Sequence, residues 1–569
     1  MTIVATLSLM QKTCKNTWCK QPFEITDSDL QFYEEISPVY AGKKELIPSP
    51  TLCPECRMQR RQTFRNEHCL YRRVCDLCQK MTISSFGPDV PFPVYCTDCW
   101  WSDRWDPLQY GQEFDLSRPF FAQFEELQHR VPQAAALQLN NENCEFNLLL
   151  AFSKNAYLCP GSYFVEDCYY LRKSQYCKDC ANSNVLNCCE LTADSTNCDG
   201  CFGAHHLVNC RQCSSSSYLR DCSGVKDCFM CSGIHNRQYC FKNEQRTKEA
   251  FEEILRRYQS VSPDDLLQEF AAFDVTVPKR SQIQLNCEGS TGAYLANCRN
   301  AIHCSDCFNI EDSKYLFECE GIKDSMDLTS HDKDIELCYE MSSGGEKSYL
   351  TRFCYCTISS PRSLYLSSCF YQSDSFGCDG LHTRGQYCIL NKQCTKEEYE
   401  LLVPKIIERM KHDGEYGEFF PIKNSPYAYN ESVAQDFFPL TKQDAEKRGW
   451  RWREENDEMP KVAKVIPASK LPDSIDEVPD DIVNWAIKCD ATGRPFRIIR
   501  QELDLYRKMK LPIPHFHPDE RHRRIMALKN PRTIWERPCM KCQKPMETTY
   551  APERPEIVYC EECYLKEIY

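Results

Sequence analysis

Cysteine occurs 41 times in 569 residues. A chain so rich in thiols folds either as an oxidised disulfide scaffold or as a reduced protein whose thiols hold metal or fill a core. The N-terminus favours the second. Met1 to Met10 lacks the basic leader of a secretion signal and runs into a cysteine pair, and no stretch approaches the roughly 20 apolar residues of a membrane helix. The expected compartment is the reducing cytoplasm, where Cys-x-x-Cys spacing points to metal.

The two ends of the chain repeat each other. Cys75, Cys78, Cys96 and Cys99 map onto Cys539, Cys542, Cys560 and Cys563 with a constant shift of 464, which also carries Pro54, Arg57, Arg60 and Arg73 onto Pro518, Arg521, Arg524 and Arg537. Upstream, a shift of 473 carries Pro22, Phe23, Ile25, Leu30 and Tyr33 onto Pro495, Phe496, Ile498, Leu503 and Tyr506. The middle is also duplicated: Tyr218, Leu219, Cys222, Cys231 and His235 recur as Tyr365, Leu366, Cys369, Cys378 and His382, a shift of 147. Each copy is followed by an amphipathic helix that predicts a cap, the second opened by a Thr395/Glu398 capping box.

Each terminal quartet has two Cys-x-x-Cys pairs, and the stretches from Cys78 to Cys96 and from Cys542 to Cys560 are long enough for a hairpin that returns the second pair to face the first. Soft thiolates suit tetrahedral Zn2+, so a structural zinc ribbon is expected at both quartets, with iron–sulfur or redox chemistry as the alternative. Cys14, Cys19, Cys53 and Cys56 form a third candidate site with a longer first loop. Its C-terminal copy keeps Cys489 but has His517 and Glu520 in place of Cys53 and Cys56. That substitution predicts a metal-free duplicate, in preference to a site completed by His515, His517 and His522.

Cys168, Cys189, Cys210 and Cys231 recur with a constant step of 21, as do Cys159, Cys180, Cys201 and Cys222. Read as one coil of a β-solenoid, this period would stack cysteines about 4.8 Å apart along the axis. Two readings of the ladders stand: small side chains filling a narrow core, or further metal sites that pair Cys177 and Cys180 with Cys198 and Cys201, and Cys210 and Cys213 with Cys228 and Cys231.

The expected architecture is mainly β: a duplicated cysteine-rich solenoid flanked by zinc-ribbon and treble-clef modules, with a few capping helices. The boundaries are 1–104 for the first treble-clef and ribbon pair, 105–143 for a helical connector, 144–258 for the first repeat module and 259–286 for a connector. They continue with 287–410 for the second repeat module, 411–485 for an aromatic segment and linker, and 486–569 for the degenerate clef and its ribbon. The run Cys14…Cys19-Lys-Gln-Pro-Phe23…Phe32-Tyr33…Cys53-Pro-Glu-Cys56-Arg57…Arg60-Arg61 resembles the bacterial treble-clef zinc-binding domain family, which has Cys-x2-Cys where this chain has Cys-x4-Cys. Across nearly its whole length, including Trp100-Trp101-Ser-Asp-Arg-Trp105 and Gly414 to Pro421, the chain resembles cysteine-rich zinc-ribbon proteins of small-genome uncultured bacteria.

The net charge of −13 argues against a protein coated in basic surface. Locally, Arg57, Arg60, Arg61, Arg65, Arg72 and Arg73 form a basic strip, with Arg521, Arg523, Arg524, Lys529, Arg532 and Arg537 in its copy. The first functional expectation is a non-enzymatic adaptor whose arginines meet the phosphates of RNA or a ribonucleoprotein, the other reading of the strip being a solvated charged face or pairing with the chain's own acids. The alternatives are a protein-interaction or self-assembling scaffold, and zinc storage. No nucleophile motif, phosphate loop or open metal centre points to an enzyme or to a small-molecule substrate.

Overall fold

The computed structural model describes residues 10–259, 261–331, 333–454 and 460–568. The chain forms two compact units, Met1–Ala136 with Ile283–Arg453, and Leu137–Gln282 with Glu454–Tyr569. Each unit joins one terminal module to one middle segment, and the pairing is crossed: the N-terminal module belongs with the second middle segment, the C-terminal module with the first.

Both middle segments are β-solenoids, as expected, but the coil is shorter than the cysteine period. In the first, the parallel partners Tyr169↔Ala181, Ala181↔Ala193, His205↔Ser217, Ser217↔Phe229 and Phe229↔Phe241 define a 12-residue coil. The chain turns at every third position. Asn143, Asn155, Asp167, Asp179, Asn182, Asp194, Asn197, Asn209 and Asp221 all have φ near +50°, and the residue after each, from Cys144 to Cys222, is buried. Asn and Asp are the non-glycine residues that best tolerate this left-handed region, so an Asn/Asp-Cys dipeptide encodes a turn followed by an inward side chain. Four such triplets complete a coil. A 21-residue step is seven triplets and lands on a neighbouring side of the solenoid.

The triplet also explains the thiols. Backbone N–H groups of the other two residues pair along the axis, as Lys154 N does with Val165 O (2.9 Å) and Asn155 N with Glu142 O (3.0 Å). The inward N–H needs a side-chain acceptor from the coil before it. Ser153 Oγ accepts from Val165 N and Ser162 Oγ from Ser174 N, both at 3.2 Å, and Cys144 Sγ accepts from Ala156 N at 3.3 Å. Inward thiols also donate: Cys168 Sγ reaches Glu166 O at 3.2 Å and Cys177 O at 3.5 Å. Cysteine is a small hydrophobe that can still make weak hydrogen bonds, so it suits a dry interior with recurrent unpaired amides.

The second solenoid is less regular. Cys307↔Cys319 and Phe317↔Thr329 keep the 12-residue coil, but Met326↔Tyr339 and Ile335↔Ser348 span 13 and Gln284↔Leu295 spans 11. Single-residue insertions of this kind produce the irregular cysteine spacing of this half. Short hairpins, Cys240–Phe241 with Glu244–Gln245 and Cys388–Ile389 with Lys392–Gln393, finish the two solenoids. The expected helices follow as Lys248–Tyr258 and Lys396–Asp413, the second with its Thr395/Glu398 capping box, and both bury an apolar face.

Two boundaries move. The first solenoid begins inside the expected 105–143 connector, at Gln138, which pairs with Leu150. Residues 464–485 are not an extended linker, because Lys464–Pro467 pairs with Trp485–Lys488, and Ile466, Leu471, Ile475, Val478 and Ile482 share a core with Leu503 and Tyr506. The aromatic segment docks, with buried Phe420 against Phe124 (4.8 Å) and Tyr355 (5.3 Å). Among the described residues no helix is long and apolar enough to cross a membrane.

Candidate metal centres

Among the described residues, three groups of side chains could hold a metal ion: Cys14, Cys19, Cys53 and Cys56; Cys75, Cys78, Cys96 and Cys99; and Cys539, Cys542, Cys560 and Cys563. Within each group all ligand atoms lie within 4.8 Å of one another. The Sγ···Sγ separations are 3.7 Å for Cys19–Cys53, 3.9 Å for Cys78–Cys96 and 3.7 Å for Cys542–Cys560. A tetrahedral ion with metal–sulfur bonds of about 2.3 Å needs an edge of about 3.8 Å, so the donor sets fit. All 41 cysteines are free thiols.

One local design builds these sites. In the second, Cys75 N bonds Lys80 O (2.8 Å), Gln79 N bonds Cys75 O (2.9 Å), and Gln79 takes φ +60°, turning the first pair into a knuckle. Asp76 N bonds Val94 O (3.0 Å), which brings the second pair alongside, and the helix Thr97–Trp100 starts with Cys96 at its N-cap. In the third site Cys539, Gln543, Lys544, Met540 and Val558 repeat these bonds. The first keeps the same plan with Cys14 N on Gln21 O, a wider turn that absorbs the longer Cys-x4-Cys loop.

One thiol in each group is held low while a neighbour is raised by burial and by the thiols around it. Burial raises Cys75, but hydrogen bonds from Cys78, Cys96 and Leu77 hold it at about 7. At Cys539 the same opposition leaves the group at about 6. At Cys53 the Cys56 thiol donates and brings it to about 5 against burial. Arg104 Nη2 adds a bond to Cys99 Sγ at 2.6 Å.

The degenerate fourth copy keeps the backbone without the ligands. Cys489 N bonds Arg494 O, Gly493 N bonds Cys489 O, and Asp490 N bonds His515 O, as in the metal knuckles. Thr492, His517 and Glu520 stand where the other cysteines would be. His517 Nδ1 accepts from Asp519 N (3.2 Å), His515 Nδ1 lies 3.1 Å from Asp490 Oδ2, and Glu520 is held by Arg523 (2.7 Å) and Arg524 (2.9 Å). Neither these residues nor His522 form a metal group among the described residues.

The solenoid quartets are corrected. With a 12-residue coil, Cys177 and Cys201 share a column two coils apart, while Cys180 and Cys198 belong to different sides. Cys210, Cys213, Cys228 and Cys231 fall on four different sides. The coil separates each quartet, and none appears among the metal groups of the described residues. Burial pushes Cys159, Cys338 and Cys354 up to about 12, keeping them neutral. Cys213 departs from this, because the Cys201 and Cys210 thiols donate to it and bring it down to about 5.

Of the two readings of the arginine strip, the structure shows pairing with the chain's own acids for its first four members. Arg57, Arg60, Arg61, Arg65 and Arg521 are buried. On the helix Pro54–Gln62, Arg57 and Arg61 both pair with Asp327 (2.8 and 3.1 Å), and Arg60 bridges Glu340 (3.2 Å) and Glu418 (2.7 Å). Arg65 pairs with Glu67 at 2.5 Å. Arg521 bonds Asn182 Oδ1 at 2.7 Å and lies 4.2 Å over the Tyr170 ring. Arg73 holds Asp76 (3.1 Å) and Gly87 O (3.0 Å), Arg537 reaches Ala551 O (3.3 Å), and Arg523 and Arg524 are exposed beside Glu520. Arg72 is exposed, and Lys529 and Arg532 are half-buried.

Sequence reasoning missed the acids that receive these arginines. The pair Tyr315 and Asp327 repeats the pair Tyr170 and Asn182 with a constant shift of 145, so the duplication extends to the docking face. The signal was present in the sequence as two Tyr-x11-Asp/Asn pairs, hidden by the false 21-residue frame.

No family model matches the chain, and no curated protein does. Among solved structures, a "putative acetyltransferase from Desulfovibrio desulfuricans G20" aligns over 40% of this chain and 64% of its own length, at 9% identity and a TM-score of 0.09. The chain thus spans less than two thirds of that protein, and so low a score carries no argument about fold or activity.

Proposed function

We propose that this protein is a non-enzymatic scaffold: zinc fixes treble-clef and ribbon modules, these modules brace two β-solenoids, and the free solenoid sides bind other proteins. One observation carries the reading over an RNA adaptor. The arginines best placed by sequence to meet phosphates are buried against Asp327, Glu340 and Glu418, and a buried, paired guanidinium contributes to internal docking rather than to nucleic-acid contact. The four-thiol donor sets, with edges of 3.7 and 3.9 Å, support zinc as the ion. Three four-thiol groups in a chain of 569 residues also offer little capacity for storage.

The test is metal and nucleic-acid content of the full chain purified without added metal. About three zinc ions per chain and no nucleic acid are expected. Co-purified RNA that dissociates with salt would replace this reading with the adaptor, and five or more metals would return the solenoid thiols to the list of ligands.

A further inference from the structure

The three four-thiol sites differ in how well they are enclosed. The first has Cys14, Cys53 and Cys56 buried, and the second has Cys75 and Cys99 buried, with Trp100 next to Cys99 fully enclosed and packed 4.6 Å from the His382 ring. The third has only Cys539 buried, while Cys542 is exposed and Cys560 and Cys563 are half-exposed. An incoming chelator or acceptor protein must reach a sulfur or the ion to displace a ligand, so exposed thiolates set the route of exchange.

The third site also carries a mechanical connection. Lys279–Arg280 pairs in parallel with Val558–Tyr559, immediately before Cys560. Lys279 N donates to Ile557 O at 2.7 Å, Ser281 N to Tyr559 O at 3.0 Å, and Arg280 Nη2 to Glu561 Oε1 at 2.7 Å. The same strand is anchored to the first solenoid, where buried Lys279 Nζ donates to Ser232 Oγ (2.7 Å) and pairs with Asp274, itself 3.0 Å from Arg220 Nε. The segment therefore joins the metal knuckle to the solenoid, and just beyond Ser281 the chain enters the other unit at Ile283. So short a strand has little stability apart from the fold that presents its partner. Small thiolate modules owe on the order of 10 kcal/mol of folding free energy to their metal.

We infer that the C-terminal site is the exchangeable metal site of the protein, and that its occupancy governs whether the strand Lys279–Arg280 is held. This inference rests on the metal reading above. Loss of the ion unfolds the Cys539–Cys563 knuckle, removes the strand partner Val558–Tyr559 and frees the segment that leads out of the first solenoid. The corresponding strand in the other unit, Gln133–Ala134 on Val94–Tyr95, stays paired because its knuckle keeps its ion.

The experiment uses the full chain loaded with zinc, a chromogenic chelator to follow release, and hydrogen exchange read in parallel. One equivalent should leave at least ten times faster than the other two. Protection at Lys279 and Ser281 should fall with that phase while Gln133 and Ala135 keep theirs. Cys542→Ser should abolish the fast phase and leave two slow equivalents. Release in a single phase, a fast phase that survives Cys542→Ser, or unchanged protection at Lys279 and Ser281 would overturn the inference while leaving the scaffold reading in place. A chain that retains no metal would overturn both.

Discussion

Arg57 places Nε 2.9 Å and Nη2 2.8 Å from Asp327 Oδ2, with both side chains essentially enclosed. Tyr315 lies over the guanidinium at 5.4 Å. In the C-terminal copy Arg521 meets Asn182 at 2.7 Å, Tyr506 OH at 3.2 Å and the Tyr170 ring at 4.2 Å. The docking geometry is duplicated, but the central acid of one copy is an amide in the other.

That difference sets unequal costs. Asp327→Ala removes the nearer of the two buried acids that Arg57 and Arg61 share, leaving them only Glu340 at 3.5 and 3.8 Å, and breaking a buried pair costs about 3 kcal/mol or more. Asn182→Ala removes one hydrogen bond from a charged donor, about 2 kcal/mol. Urea unfolding of both variants should show the larger midpoint shift for Asp327→Ala. Equal shifts would mean that the ion pair adds nothing beyond the hydrogen bond.

A second acid gives the first unit a pH dependence. Burial pushes Asp379 up to about 7, outweighing the lowering by Ser367 and Gln133, whose Nε2 donates to Oδ2 at 2.7 Å. Its folded pKa lies above the unfolded value of about 4, so the folded state binds the extra proton between those limits and stability falls as pH rises from about 4 to 7. The loss is on the order of a few kcal/mol. Buried His331, lowered to about 3 by burial, acts in the opposite sense below about pH 6.5, but it is common to both proteins in the comparison. Asp379→Asn should therefore gain stability over wild type at about pH 7.5 and lose that advantage near pH 4. A pH-independent difference would refute the assignment.

The terminal modules are legible because metal ligation depends on residue type and local spacing, both written directly in the sequence. The constant shift of 464 identifies Cys75 to Cys99 and Cys539 to Cys563 without tertiary information. The solenoid is legible as a class but not in its period. Cysteine is the conspicuous marker, whereas the chain is paced by the left-handed residue before it, and that position accepts not only Asn, Asp and Gly but also Tyr, Phe, Leu, Gln, Met, His, Glu and Ser. Reading Asn143-Cys144, Asp167-Cys168 and Asn209-Cys210 as dipeptides gives multiples of three at once. The arginines stay undecided in the sequence for a different reason: a basic strip looks the same whether its counterions are phosphates or carboxylates 270 residues away, as Asp327 is from Arg57.

The inward amides make a prediction specific to this solenoid. Ser174 Oγ accepts from Leu186 N at 3.2 Å and donates to Arg172 O at 3.2 Å inside a dry core. Ser174→Ala should cost about 1–3 kcal/mol, because it leaves the Leu186 amide buried and unpaired. Ser174→Cys should be tolerated to within about 1 kcal/mol, since a thiol occupies the equivalent inward position at Cys144 and accepts an amide there. Chemical denaturation, with exchange of the Leu186 amide, distinguishes them. A large loss in the cysteine variant would show that packing, rather than amide pairing, selects the inward residue.

The degenerate knuckle offers the strongest test of the view that backbone geometry, more than ligand identity, is what the duplication preserved. Cys489, Arg494, Gly493, Asp490 and His515 make the hydrogen bonds of the Cys75 and Cys539 knuckles, while Thr492, His517 and Glu520 replace the other thiols. Thr492→Cys, His517→Cys and Glu520→Cys together should raise the metal content by one ion per chain. Releasing exposed Arg523 and Arg524 from Glu520 should cost at most about 1 kcal/mol, as for other surface pairs. Cys489→Ser in the parent should leave the content unchanged. Mass spectrometry of the native protein reads both results. If the triple variant folds but gains no ion, the knuckle's backbone is not sufficient to build a site. If Cys489→Ser loses one, the fourth copy is itself a metal centre.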